Sequence, residues 1–413
     1  MRILSGAAAR ARVSKMAARG SRYAEVEPVV RRIIADIQKG GDHSLRKYAG
    51  RWDGLPPRES LQVSGEEIQA AWKSSAPELK ASMRTAAANI RRFCEWQKPV
   101  EWRRTRKGIT VGQIVRPLDS VGCYVPGGRY PLVSTLLMTV VPAQVAGVRN
   151  IRVVSPQPRA NVLAAAGMLG VREVYRIGGA QAIAALAYGT QSIPRVDKIV
   201  GPGNLYVTAA KKLVSFDCAI DFLAGPTEVV IVSDVGTPEF IAADLVAQAE
   251  HDPEALAVFI TVDDDLARRV VRAVEKLSRR NAVARQALRR NGVILISGSR
   301  GQSLEWANEL AAEHLTVDAA DVALVRNASS VFIGNYSPQA AGDYASGPNH
   351  VLPTGGAARF RGGLSVLDFV KLISVQRVSQ PGLRGIAPVV ESLANAEGLR
   401  AHAESVRARL GHA

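Results

Sequence analysis

From about residue 117 onward, short β-branched runs alternate with alanine-rich helical runs, and nothing else in the chain constrains its fold as strongly. Strand patterns over 121–125, 151–154 and 174–177 are separated by helical patterns over 136–146, 160–169 and 180–187. The alternation resumes with strands at 229–232, 256–261 and 293–296 and helices at 238–250 and 266–277. Strands that recur only after a helix pair in parallel and need helices on their faces. The spacing therefore predicts two related α/β lobes, over 120–215 and 228 to about 333. Neither a solenoid period nor a low-complexity segment accompanies them.

Around the lobes the pattern changes. From Tyr23 to about Pro99 it is helical: Ile68 and Ala71-Trp72, then Leu79, Met83, Ala86 and Ile90, recur at three- and four-residue spacing. Asp42 stands where it would cap a helical segment over 44–48. Residues 102–116 read as a strand from the near alternation of Ile109, Val111 and Ile114-Val115. After Gly334 the chain becomes turn-rich, and a loop of such length in a compact protein is usually functional. Residues 389–410 are helical again. The expected division is 1–116 (helical, with a strand), 117–227 and 228–340 (the two lobes), and 341–413 (loop and C-terminal tail).

Composition excludes several classes. With 47% hydrophobic and 22% charged residues, the 413-residue chain is globular, not disordered. Its longest apolar stretch, 132–148, is broken by Ser134, Thr135, Thr139, Pro142 and Gln144, so no membrane span is expected. A net charge of +16 permits polyanions, but the basic residues are scattered and aromatics are only 5%, too thin for base stacking. Nucleic acid is therefore not an expected partner. Cys94, Cys123 and Cys218 form neither a disulfide framework nor a CxxC pair, which fits a reducing, cytosolic setting. Residues 1–24 carry six basic residues and no acid, as transit peptides do, but an amphipathic helix follows with no cleavage signal. Residues 1–20 read as a basic N-terminal arm.

The chemistry-bearing residues lie mostly late in the chain. Gln248 and His251 share a face at the end of a predicted helix. There, an amide oxygen and an imidazole can both meet a cation, or the histidine can simply cap the helix dipole. Glu313-His314 sets an acid beside an imidazole, one group for deprotonating an alcohol and one for activating water, although such a pair is also commonplace surface. The segment 342–350 brings Asp343 and His350 into a glycine-bearing loop, where Asp343 alternatively caps its own turn. Glu397 and His402 individually read as helix surface. Glycine-rich turns at 178–181 and 201–204 would let a phosphate approach backbone amides, or serve packing alone. G-x-G-x-x-G, Walker A, GxSxG and HExxH patterns are missing, so a P-loop ATPase, serine hydrolase or zincin is unsupported.

Taken in order, these segments resemble the histidinol dehydrogenase family. The likeness runs from about Tyr23 to Leu410, through Tyr124-Val125-Pro126-Gly127-Gly128, Gly178-Gly179-Ala180-Gln181, Gly201-Pro202-Gly203-Asn204 and Ala224-Gly225-Pro226-Thr227-Glu228. It continues through Ala247-Gln248-Ala249-Glu250-His251, Glu313-His314-Leu315, residues 342–354, and Glu397-Gly398-Leu399 to His402. The resemblance implies an α/β fold of two incomplete Rossmann-like lobes with parallel sheets, plus helical N-terminal and C-terminal arms. It also implies one Zn2+ per subunit on Gln248, His251, Asp343 and His402, and NAD on the first lobe against Tyr124, Gln181 and Asn204. His314 would take the alcohol proton and Glu313 would activate water. Thr227, His350 and Glu397 would join them and the zinc ligands in holding a small amino alcohol. The family's homodimer would intertwine its C-terminal tails, lending Glu397 and His402 to the partner's site.

The implied activity is a four-electron oxidation of L-histidinol to L-histidine through L-histidinal, with two NAD+ consumed. Three departures from the family pattern stand out: Thr227 where many members have Ser, Leu310-Ala311-Ala312 where Tyr-Ala-Pro is usual, and Pro348 where some have Thr. The alternatives are a sister dehydrogenase acting on another terminal alcohol, such as a sulfonated propanediol, and a polyanion-binding protein on a retired scaffold. A thiolate route through Cys123 competes for the aldehyde step, but the sequence supplies it no base.

Overall fold

The computed structural model describes residues 1–20, 23–127 and 132–411; Gly128 and His412 lie outside the described residues. The chain opens with β1 (Arg2–Ser5) and α1 (Gly6–Ala17), followed by the helices α2 (Tyr23–Trp52), α3 (Gly65–Ser74) and α4 (Pro77–Gln97). A hairpin, β2 (Trp102–Arg106) and β3 (Ile109–Pro117), leads into the first lobe. That lobe is β4 (Ser120–Tyr124), α5 (Val133–Ala146), β5 (Asn150–Val154), α6 (Ala160–Met168), β6 (Glu173–Tyr175), α7 (Gly179–Tyr188), β7 (Lys198–Val200), α8 (Leu205–Val214) and β8 (Ala219–Ile220). The second is β9 (Glu228–Val232), α9 (Pro238–Ala249), β10 (Leu256–Thr261), α10 (Asp264–Ser278), α11 (Ala282–Arg290), β11 (Val293–Ile296), α12 (Arg300–Leu310), β12 (His314–Val317) and β13 (Ser330–Ile333). Then come α13 (Gln339–Tyr344), β14 (Val370–Val378), α14 (Gln380–Ala396) and α15 (Arg400–Leu410).

Both lobes are built on parallel sheets, ordered β6-β5-β4-β7-β8 and β1-β11-β10-β9-β12-β13. Their central strands β4 and β9 are buried along their whole length, as strands covered by helices on both faces must be. Among the described residues no helix is long and apolar enough to cross a membrane.

Several expectations change. Residues 1–20 do not form a free arm: residues 2–5 pair with β11 as the edge strand of the second sheet. Helix α1 buries Ala9, Val13 and Met16 against that lobe's core. These residues recur at helical spacing, but three apolar positions in a helix whose other faces also carry alanines make too weak a contrast to announce a buried face. The strand read over 102–116 is a hairpin, folded at Lys107-Gly108 where both residues have positive φ (49° and 79°). β14 pairs with β3 in a stretch that carried no strand pattern, because most of its residues are exposed and no buried face imposes a two-residue period. The C-terminal helical stretch starts earlier, at Gln380, and breaks at Gly398 (φ 76°). Asp42 does not cap its own helix; its carboxylate accepts the Ser192 N–H (3.2 Å) and hydroxyl.

The chain's return to β14 is pinned by Asp368, whose carboxylate meets Lys198 Nζ (2.9 Å), Arg361 Nη2 (2.5 Å) and the Ser365 N–H (3.0 Å). Burial alone would raise its pKa, yet the two cations hold the carboxyl below its ordinary 3.8. Asp368→Asn is expected to cost about 3 kcal/mol in denaturant unfolding at neutral pH, since it strands two partly buried cations. A depressed carboxyl stabilises the fold above its unfolded pKa and loses that contribution as pH falls through the folded value. The two proteins should therefore converge in stability in acid.

Candidate active site

Parallel pairing of β9 with β12 sets His314 opposite Val229, which brings Glu313-His314 beside Thr227-Glu228 at the amino ends of the two strands. The turn into β12 uses Ala311 in the left-handed region (φ 47°), at a cost of roughly 1 kcal/mol for a residue with a Cβ. Glu313 is buried, and its Oε2 accepts from the Thr227 hydroxyl (2.5 Å) and the Glu228 N–H (2.8 Å). No hydrogen bond engages Oε1 among the described residues. His314 Nδ1 lies 3.2 Å from the Glu228 carbonyl oxygen, which can only accept, so Nδ1 carries a proton. Its Nε2 is buried without a hydrogen-bond partner and faces Asp343 Oδ1 at 3.4 Å.

Electrostatics follow from this crowding. Burial favours the neutral His314 ring, but the Glu313 and Asp343 carboxylates outweigh it and raise the imidazole to about 10. Burial likewise opposes ionisation of Asp343, and the His314, His350 and His251 imidazoles prevail, holding its carboxyl below the ordinary range. His350 donates from Nδ1 to the Asp343 carbonyl (2.7 Å), leaving Nε2 3.4 Å from the Thr135 hydroxyl; burial lowers its pKa. Gln248, buried in the last turn of α9, keeps its Oε1 3.2 Å from the Thr227 hydroxyl, which it shares with Glu313.

Thr227, Gln248, Glu313, His314, Asp343 and His350 are thus linked in one cluster, with His251 near enough to act on Asp343. Glu397 and His402 are not: both are exposed at the junction of α14 and α15. Gln248, His251 and Asp343 offer oxygen, nitrogen and oxygen donors, one short of a tetrahedral zinc set. Among the described residues no group of three or more His, Cys, Asp or Glu side chains stands ready for a metal.

The second candidate site lies on the first lobe. Tyr124, Gln181 and Asn204 line a cavity of about 540 Å3 at the carboxyl ends of β4 and β7, together with Asp53, Trp52 and Tyr206. That is within the usual range for a small-molecule or cofactor site. The Tyr124 hydroxyl accepts the Gly179 N–H (3.0 Å). Asp53 Oδ2 accepts both the Gly178 N–H (3.0 Å) and Gln181 Nε2 (3.1 Å), which fixes the amide's orientation and leaves Gln181 Oε1 buried without a donor. Asn204 caps α8 through Oδ1, leaving its amide nitrogen for a ligand. Asp53 escaped the sequence reading, since it ends a helix far from any glycine-rich turn. Glu228 was named only within the segment 224–228 that carries the family resemblance, with no role assigned to it.

A two-lobed α/β chain with a buried acid–imidazole cluster and a separate cofactor-sized cavity has the build of an oxidoreductase. A family model described as histidinol dehydrogenase matches residues 16–410. The chain belongs to the histidinol dehydrogenase family. It is 48% identical to the histidinol dehydrogenase of Methanothermobacter thermautotrophicus over 392 residues, covering 92% of each chain. It is 44% identical to that of Methanosarcina barkeri, covering 97% of this chain and 96% of the relative. The crystal structure of histidinol dehydrogenase from Elizabethkingia anophelis superposes with a TM-score of 0.95 at 36% identity, covering 100% of this chain and 98% of that one.

Asn204→Ala removes the α8 cap and is expected to cost about 1 kcal/mol in thermal unfolding. If the cavity on the first lobe holds a dinucleotide, the variant should also weaken its binding measured by calorimetry, and unchanged binding would remove Asn204 from that cavity's ligand contacts.

Proposed function

We propose that this chain oxidises L-histidinol to L-histidine through L-histidinal, with two molecules of NAD+ reduced in turn and one zinc ion per subunit. The observation that carries this reading is the convergence of Glu313, His314, Asp343, Gln248, Thr227 and His350 in one buried cluster. When bound, zinc supplies a template for the substrate's nitrogen atoms and NAD+ the hydride acceptor.

His314 takes the hydroxyl proton on Nε2, the nitrogen that its Nδ1–H···O=C bond leaves free, as hydride departs from the carbinol carbon. A divalent cation held by Asp343 would offset that carboxylate's field on the ring, so His314 would hold its proton less tightly than it does beside the free carboxylate. Glu313 then accepts a proton from water on its unengaged Oε1 as the water oxygen adds to the aldehyde carbon. The former carbonyl oxygen takes back the proton held on His314. The resulting hydrate passes its carbon-bound hydride to the second NAD+, returns one hydroxyl proton to His314 Nε2 and releases the other to solvent as the carboxylate forms. Thr227 holds Glu313 in place, and His350 offers Nε2 toward the substrate side of α5.

Gln248, His251 and Asp343 would hold the zinc, with His402 from a second copy of the chain as the fourth ligand and Glu397 beside it. Support for a homodimer comes from the exposed apolar residues Val389, Leu393 and Leu399 on the same tail. Cys123 is fully buried and its thiol is pushed up to about 12, which disfavours a thiolate route. Three unpaired cysteines support a reducing, cytosolic setting.

The decisive experiment is a substrate panel followed by NAD+ reduction, comparing histidinol with other amino alcohols and with sulfonated propanediols. Turnover restricted to a non-histidinol alcohol would replace the proposed substrate. His314→Ala should lower alcohol oxidation about a thousandfold while leaving bound zinc near parent levels. Glu313→Gln should impair aldehyde oxidation more than alcohol oxidation; equal loss would refute the division of roles. Cys123→Ser should keep most activity in the same assay.

A further inference from the structure

The basic N-terminal segment has no part in the chemistry above, yet one of its residues reaches the cluster. Arg19 presents a two-pronged contact to Glu228, Nε to Oε1 at 2.6 Å and Nη2 to Oε2 at 2.7 Å. Its Nη2 also donates to the Leu310 carbonyl (2.9 Å), where α12 ends before Glu313, and Nη1 to the Met16 carbonyl (2.8 Å). Glu228 in turn is a hub. Its side chain accepts the Gly355 N–H (3.0 Å) in the loop that carries His350, its own N–H donates to Glu313, and its carbonyl meets His314.

We propose that Arg19 is a positioning residue for the Glu313–His314 pair, acting through Glu228. The inference rests on the reading that this pair performs the oxidation. A carboxylate as deeply buried as Glu228 is costly unless a cation and hydrogen bonds compensate it, and Arg19 is the cation that contacts it among the described residues. Without that fork the carboxylate loses its anchor. The backbone of residue 228, which sets the tautomer of His314 and one of the two bonds to Glu313, loses its fixed position as well. Attachment of the N-terminal segment itself does not need Arg19: β1 pairs with β11, and Ala9, Val13 and Met16 are already in the core. The contact therefore serves the amino end of β9, beside the Glu313–His314 pair.

The test compares the full-length protein with Arg19→Met, Arg19→Lys and the double variant Arg19→Met/Glu228→Gln. Arg19→Met should lower kcat about ten- to a hundredfold, with the KM for NAD+ and its calorimetric affinity within about twofold, because the cavity on the first lobe does not touch Arg19. The double variant should recover part of the loss, because an amide needs no counter-cation. The hydrogen-bonded imidazole N–H resonance of His314 in 15N-histidine-labelled protein, identified by its absence in His314→Ala, should shift or broaden in Arg19→Met. Parent-like kcat and an unmoved resonance in Arg19→Met would overturn the proposal, as would a double variant no better than the single one. Should Arg19→Met fail to fold, Arg19→Lys decides: it keeps the charge without the fork, and parent-like kcat and resonance in it overturn the proposal. If the parent protein does not oxidise histidinol, the functional reading falls, and the resonance comparison still tests Arg19.

Discussion

The geometry of the buried acid–imidazole cluster depends on the register between two adjacent strands, β9 and β12. Their pairing places a backbone N–H and a backbone C=O of one residue, Glu228, against the carboxylate of Glu313 and the ring of His314. Burying an ionised carboxylate costs several kcal/mol unless donors replace its water. Here a strand terminus and a threonine hydroxyl supply two. The same strand terminus decides which imidazole nitrogen is free. Slippage by one residue would turn each side chain to the opposite face of the sheet, so the sheet core and the cluster specify one another.

The two lobes use opposite ends of their sheets. In the first, the crevice outside the carboxyl ends of the strands holds Tyr124, Gln181 and Asn204, where ligands of open parallel sheets generally sit. In the second, the carboxyl side is occupied by Arg300, whose guanidinium meets both oxygens of Asp321 at 2.7 Å and Asp318 at 3.3 Å. The Glu313–His314 pair instead lies at the amino ends. The segment around Asn349 and His350 joins the two, with the Asn349 amide donating to the Met138 carbonyl of α5 (2.7 Å) and His350 spanning from Asp343 to Thr135.

What the sequence revealed follows from what each signal depends on. Strands 256–261 and 293–296 were readable to the residue because near-complete burial leaves an almost continuous apolar run. β14 was not, since most of its residues are exposed, and β1 was too short to show a period. The residues of the cluster were legible as chemical types, and the resemblance joined them. Their convergence depends on tertiary contacts between segments as much as 86 residues apart. Asp53 and Arg19 had no local signal, because each works on a partner over a hundred residues away in the chain. Asp42 was assigned the commonest role of an aspartate near a helix, and Ser192 proved the better partner.

The placement of β1 bears on solubility as well. β11 reads Val293-Ile294-Leu295-Ile296, and as a bare rim its unpaired amides and carbonyls would offer another molecule a template for intermolecular strand addition. Residues 2–5 cover that rim with a strand only four residues long, mostly exposed and begun by an arginine. Short, charged rims of this kind discourage further strands from adding. The N-terminal segment thereby covers an apolar strand that would otherwise be an edge of the second sheet.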